Sequence, residues 1–112
     1  MMTGETQFPY AARSFIVNYG DGLVFRNSYL ADGKSATVEH LEGAMKGTLS
    51  TSTFNWFELG NGEYILSWQE EDKSTAVHCD NFEKKTTRSF YTMMDGSFFE
   101  LSGKITSETA HV

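Results

Sequence analysis

Short runs in which apolar and polar residues alternate make up most of this chain, and turns rich in Gly, Asp and Asn separate them. Alternation with a period of two is typical of half-buried β-strands, and Asp-Gly or Asn-Gly between such runs indicates a hairpin. The turn signals lie at 20–22, 31–33, 60–62 and 95–96, with weaker ones at 71–73 and 81–84. No segment sustains apolar residues at i, i+3, i+4 and i+7, so no helix longer than about two turns is expected.

Eight antiparallel strands are predicted, over residues 14–19, 23–30, 35–41, 48–57, 63–70, 75–82, 86–94 and 97–106. Eight strands on hairpin connections suit a small, closed, up-and-down β-barrel of the lipocalin-like (calycin) kind, with room for one small ligand. The segment Leu41–Gly47 is predicted to be a loop at the barrel rim, because two glycines weaken any helical turn there.

Alternation also assigns the faces of the strands, since successive side chains point to opposite sides. Three largely apolar sets are predicted to point inward: Leu23, Phe25, Asn27 and Tyr29; Tyr64, Leu66, Trp68 and Glu70; and Phe99, Leu101, Gly103 and Ile105. Glu70 breaks the apolar pattern of its set. Its position predicts a carboxylate at or inside the mouth of the barrel.

Glu70 is the strongest candidate for chemistry. A carboxyl group beside the Trp68 indole and partly out of water has a raised pKa, which suits a general acid or base. It could equally bind a hydroxyl, an amine or a cation of a ligand. Such a site needs a polar partner, for which Tyr64, Tyr29 or the ligand itself are the candidates. The alternative is that the strand ends here and Glu70 lies in water beside Glu71 and Asp72.

Aromatic residues dominate the predicted interior. Phe25, Tyr29, Tyr64, Trp68 and Phe99 would form the wall of a pocket for an apolar or aromatic molecule. The alternative for each of them is ordinary core packing, because aromatic side chains also fill small barrels.

Two histidines, a cysteine and an aspartate raise the question of a metal site: His40, His78, Cys79 and Asp80. Neighbours on a strand point to opposite faces, so His78 and Cys79 cannot both reach one ion. The ligand spacing typical of zinc sites is also missing. The sequence therefore predicts no metal and implies no cofactor, and Cys79 is interpreted as a small buried apolar residue.

The turn after Glu70 decides which of these side chains faces the interior. A four-residue turn (71–74) would place Val77, Cys79 and Asn81 inside, whereas an odd number of turn residues would place His78 and Asp80 inside. Val77 and Cys79 are the more apolar pair, so the four-residue turn is the favoured interpretation.

Composition narrows the class of protein. The 112 residues suit one domain, 1–112, with a core over about 14–106. A net charge of −6 without a basic patch argues against nucleic acid and anionic membrane surfaces as partners. One cysteine and no visible secretory signal suit the cytoplasm. A homodimer is left open.

The strings Ser67-Trp68-Gln69-Glu70, 77–82, Phe90-Tyr91-Thr92 and 95–103 together resemble the MoaF-like domain, over roughly 14–106. The resemblance implies a lipocalin-like barrel and says little about chemistry. Trp68-Gln69-Glu70 is also distantly similar to the Trp-x-Glu segment of phenolic acid decarboxylases, whose glutamate is catalytic, but the Pro-Thr-Gly continuation of that family is replaced here by 71–73.

Two functions follow as predictions. The first is binding of a small, largely apolar or aromatic molecule inside the barrel, with Tyr64, Trp68 and Glu70 near its polar end. The alternative is a cofactor-free acid/base lyase or isomerase in which Glu70 moves a proton. An interaction module with a filled core is a third possibility, and an open cavity would distinguish it from the other two.

Overall fold

The computed structural model describes residues 7–108, which form a closed antiparallel barrel of eight strands. The strands are β1 (Arg13–Asn18), β2 (Val24–Tyr29), β3 (Ser35–His40), β4 (Leu49–Gly60), β5 (Glu63–Gln69), β6 (Thr75–Asn81), β7 (Thr86–Thr92) and β8 (Phe98–Ser107). Each strand pairs with its neighbours along the chain, and β1 pairs with β8 to close the barrel. The predicted fold class is confirmed, and the segment Leu41–Gly47 is a loop.

Glycine and asparagine lie in hairpin turns where the backbone has a positive φ. In the turn between β4 and β5, Gly60, Asn61 and Gly62 all have positive φ, at 99°, 56° and 81°. These are the residue types that adopt a left-handed backbone at little cost. The described residues contain no helix long and apolar enough to cross a membrane.

The turn between β5 and β6 differs from the favoured interpretation. The Glu70 amide donates to the Ser74 carbonyl (2.7 Å), and the Lys73 amide donates to the Glu70 carbonyl (2.9 Å). Residues 71–73 therefore form a three-residue turn, and Trp68 pairs with Ala76. Lys73 makes this possible by adopting a φ of 79°.

This register reverses the favoured faces of β6. His78 and Asp80 are buried inside the barrel, and Val77 and Cys79 lie on the outer wall, where Val77 is 39% exposed. Asn81 is buried at the next turn, where its Oδ1 accepts hydrogen bonds from two backbone amides. The prediction that Val77, Cys79 and Asn81 face the interior was wrong because local turn geometry outweighed a small difference in apolarity.

The two ends of the barrel are packed differently. At what we call the closed end, where the chain enters β1, the interior is filled by aromatic rings. Phe8 is 2% exposed, and its ring centroid lies 5.0–6.4 Å from those of six other aromatic residues: Tyr10, Tyr29, Phe54, Trp56, Tyr64 and Phe82. This packing leaves the other half of the interior, toward the open end, for a cavity.

Candidate functional site

A cavity of about 320 Å³ occupies the open half of the barrel. The hairpin loops β1–β2, β3–β4, β5–β6 and β7–β8 surround this end. Its walls are mainly apolar, with contributions from Leu23, Val38, Ala76 and Leu101. A concave, largely apolar space with a few polar groups is the usual form of a small-molecule site.

Four of the six residues predicted to form a ligand site line this cavity: Phe25, Trp68, Glu70 and Phe99. They lie on the faces of β2, β5 and β8 that were predicted to point inward, with Glu70 directly after the end of β5. Phe99 lies near the mouth, where it is 46% exposed.

The other two, Tyr29 and Tyr64, lie outside the cavity. Both are buried at the closed end, with ring centroids 5.0 and 5.8 Å from that of Phe8. Burial raises the pKa of each phenol. They share a face with cavity residues, but Phe8 packs against them, a contact that strand alternation does not reveal.

Glu70 lies half-buried at the mouth and is held by two donors. The Tyr91 hydroxyl donates to its Oε1 (2.8 Å), and the Trp68 Nε1–H donates to its Oε2 (3.3 Å). Desolvation raises the pKa of Tyr91, and its hydrogen bond to Glu70 raises it further. Tyr91 therefore remains a hydrogen-bond donor at neutral pH.

The partner of Glu70 is thus Tyr91 rather than Tyr64 or Tyr29. In register, Ala76 stands between Trp68 on β5 and Tyr91 on β7. A small side chain at this position leaves space between the two rings. Finding Tyr91 from the sequence would have required the registers of both β5 with β6 and β6 with β7, and the favoured register of the first pair was wrong.

Deeper in the barrel lies a group of polar side chains that the sequence only partly indicated. The His78 ring packs 4.6 Å from that of Trp68, and its Nδ1 is 3.7 Å from Asp80 Oδ2. Asp80 is 1% exposed and accepts a hydrogen bond from the Thr87 hydroxyl. These contacts place a carboxylate behind the inner wall of the cavity.

Tyr19 and Ser89 also line the cavity and are joined by a hydrogen bond between their hydroxyls. Desolvation is the main cause that raises the pKa of Tyr19 to about 12, so its phenol is neutral at physiological pH. Sequence analysis missed both residues, since Tyr19 ends the predicted first strand and Ser89 looks like an ordinary strand serine.

Two ring nitrogens at the cavity lack a partner. Among residues 7–108, Nδ1 of His40 and Nδ1 of His78 are buried without a hydrogen bond. His40 packs against Phe25, with ring centroids 4.9 Å apart. Both histidines line the cavity, but Nδ1 of His78 faces Asp80, so Nδ1 of His40 is the unpaired nitrogen that a ligand could satisfy.

The charge of the lining is one-sided. Glu70 is its one carboxylate, and the described lining residues include no Lys or Arg. Within the described range, no three His, Cys, Asp or Glu side chains come together as a metal site.

Comparison with known proteins agrees with this geometry. The model of the MoaF-like family matches residues 11–106. The chain belongs to the MoaF-like family. Among solved structures, the chain is similar to a protein from Burkholderia vietnamiensis described as a putative beta-lactamase. It is 31% identical, with a TM-score of 0.88, and the match covers 92% of this chain and 99% of that one. No curated protein matches this MoaF-like chain.

Proposed function

We propose that this MoaF-like protein binds one small, largely apolar or aromatic molecule in the open half of its barrel. The observation that carries the proposal is the cavity of about 320 Å³ beside a fully packed closed end. An interior meant only as a core would be filled, because protein interiors pack densely and large apolar voids destabilise them.

The walls suit such a ligand. Phe25, Trp68 and Leu101 would contact an aromatic body, and burying apolar surface is worth about 25 cal/mol per Å². Glu70 would accept a hydrogen bond from a polar group of the ligand at the mouth, and the unpaired Nδ1 of His40 would bind a second polar group.

The acid/base alternative receives less support from the contacts of Glu70. Both of its carboxylate oxygens already accept a hydrogen bond from a protein donor. This arrangement is that of a fixed acceptor, so binding is the function we propose.

The description of the Burkholderia protein does not extend the proposal to β-lactam hydrolysis. Serine β-lactamases of class A use a Ser-x-x-Lys motif, which this sequence lacks. Zinc-dependent hydrolysis needs a cluster of ligands, and residues 7–108 contain none.

Ala76 and Val77 provide the test, because they are neighbours on β6 that face in opposite directions. With 2-naphthalenemethanol as the probe, titration calorimetry should give one site per chain in the wild type. Ala76→Met should weaken binding by about tenfold or more, because the longer side chain fills space between Trp68 and Tyr91. Val77→Met should bind like the wild type.

A second measurement on the wild type keeps the test independent of how well Ala76→Met folds. The NMR signal of the Trp68 indole N–H should shift on addition of the probe, because that group borders the cavity. No binding by the wild type, or a shift confined to the outer wall, would refute the proposal. So would a folded Ala76→Met variant that binds as tightly as Val77→Met.

A further inference from the structure

The cavity has carboxylates near both of its polar regions, and its described lining residues include no Lys or Arg. Glu70 lies at the mouth, and Asp80 lies behind His78 at the inner wall. From this we infer that the ligand is neutral or positively charged, an aromatic amine or alcohol rather than a carboxylate or phosphate. The inference rests on the proposed function and assigns its class of ligand.

Two arginines on the strands of the barrel, Arg26 on β2 and Arg88 on β7, do not offset that charge. Arg26 pairs in register with Ile16 and Glu39, and its guanidinium bonds to Glu39 (2.6 Å) and Glu108 (2.9 Å). Its neighbours along β2, Phe25 and Asn27, are the ones that face the cavity. Arg26 is therefore on the outer wall and already neutralised.

Arg88 has the same orientation. It is exposed and lies opposite Cys79, on the outer face of β7, while its neighbours Thr87 and Ser89 point inward. A carboxylate in the cavity would thus lose its hydration without gaining an ion pair, which is costly.

An amine would meet the opposite situation. At the mouth, an ammonium group can donate to Glu70, whose position is fixed by Tyr91 and Trp68. Hydrogen bonds that involve a charged group are about twice as strong as neutral ones. An alcohol lacks the charge but can still donate to Glu70, so it should bind less tightly than the amine and more tightly than the acid.

This assignment also bears on the decarboxylase likeness. Phenolic acids carry a carboxylate at neutral pH, and the described lining has no Lys or Arg to receive it. A cavity of this charge would disfavour that class of substrate.

Three probes of matched shape test the inference: 2-naphthylmethylamine, 2-naphthalenemethanol and 2-naphthoate. All three titrations are run in the same buffer at the same pH. The wild type should bind the amine most tightly and the naphthoate at least about tenfold more weakly than the alcohol, a difference of about 1.4 kcal/mol.

Glu70→Gln should remove the preference for the amine over the alcohol while the alcohol still binds. Glu71→Gln is the matched control, because it makes the same change one residue further along, at an exposed position in the turn. It should leave the order and the spacing of the three affinities unchanged.

The outcomes separate the inference from the proposed function. Naphthoate binding as tightly as the alcohol would overturn the charge assignment and leave the binding function standing, as would a Glu70→Gln variant that keeps the full preference for the amine. If none of the three probes binds the wild type, the proposed function and this inference both fail. If Glu70→Gln does not fold, the order of the probes on the wild type decides.

Discussion

At the scale of single residues, strand alternation predicted the position of Glu70 but not its hydrogen-bond partner, Tyr91. The inward face of Glu70 followed from its place two residues after Trp68, and the structure puts it at the cavity. Its partner lies 21 residues later, on a strand that is not a neighbour of β5. Such a contact depends on the registers of two strand pairs, and an error of one residue in either removes it.

The buried carboxylate of Asp80 leads to a prediction about stability. Thr87→Val should lower the free energy of unfolding by about 1.5–3 kcal/mol, because it removes the hydroxyl that donates to a charged group with 1% exposure. Urea unfolding followed by tryptophan fluorescence measures the change.

Thr86→Val is the matched control for this change. Thr86 is the preceding residue and is exposed. The same substitution there should alter stability by less than about 0.5 kcal/mol. Equal effects at the two positions would show that the hydrogen bond to Asp80 contributes nothing.

At the scale of elements, all eight strands could be predicted, because hairpin signals and alternation agree along the whole chain. The largest difference in bounds is at β4, which continues to Gly60 through a bulge near Glu58. The face of β6 could not be decided in the same way. It depended on whether the turn after Glu70 holds three or four residues, and Val77, His78 and Cys79 differ too little in apolarity to settle that.

Lys73 is the residue that allows the three-residue turn, at a φ of 79°. A left-handed backbone costs a residue with a side chain about 1–2 kcal/mol, whereas glycine adopts it freely. Lys73→Gly should therefore raise the free energy of unfolding, by about 0.5–1 kcal/mol once the greater entropy of unfolded glycine is subtracted. The midpoint of urea unfolding measures this.

Lys84→Gly should change stability in the opposite direction. Lys84 is also an exposed turn lysine, but its φ is not positive. Glycine there brings only its entropic penalty, about 0.5–1 kcal/mol. A loss of stability in both variants would mean that Lys73 is not under backbone strain.

At the scale of the whole molecule, the barrel divides into a packed half and an open half, and the sequence did not indicate this division. The apolar face of each strand runs the length of the barrel, so Tyr29 and Tyr64 looked equivalent to Phe25 and Trp68. Phe8 makes the difference, and it lies before β1, outside the alternating pattern. Its apolar character beside Tyr10, in a segment with no strand, was the available signal.

Phe8 should therefore contribute strongly to the stability of the whole barrel. Its ring touches aromatic residues from β2, β4, β5 and the β6–β7 turn, so it joins strands that are far apart in sequence. Phe8→Ala would leave a cavity among these rings and should lower the free energy of unfolding by about 3–5 kcal/mol. Phe57→Ala is the control, because Phe57 is 72% exposed on the outer wall and should cost less than about 0.5 kcal/mol. Both are measured by urea unfolding. If Phe8→Ala were as stable as Phe57→Ala, the packing of Phe8 would not stabilise the closed end of the barrel. The difference between the packed half and the open half would then have to arise from the strands alone.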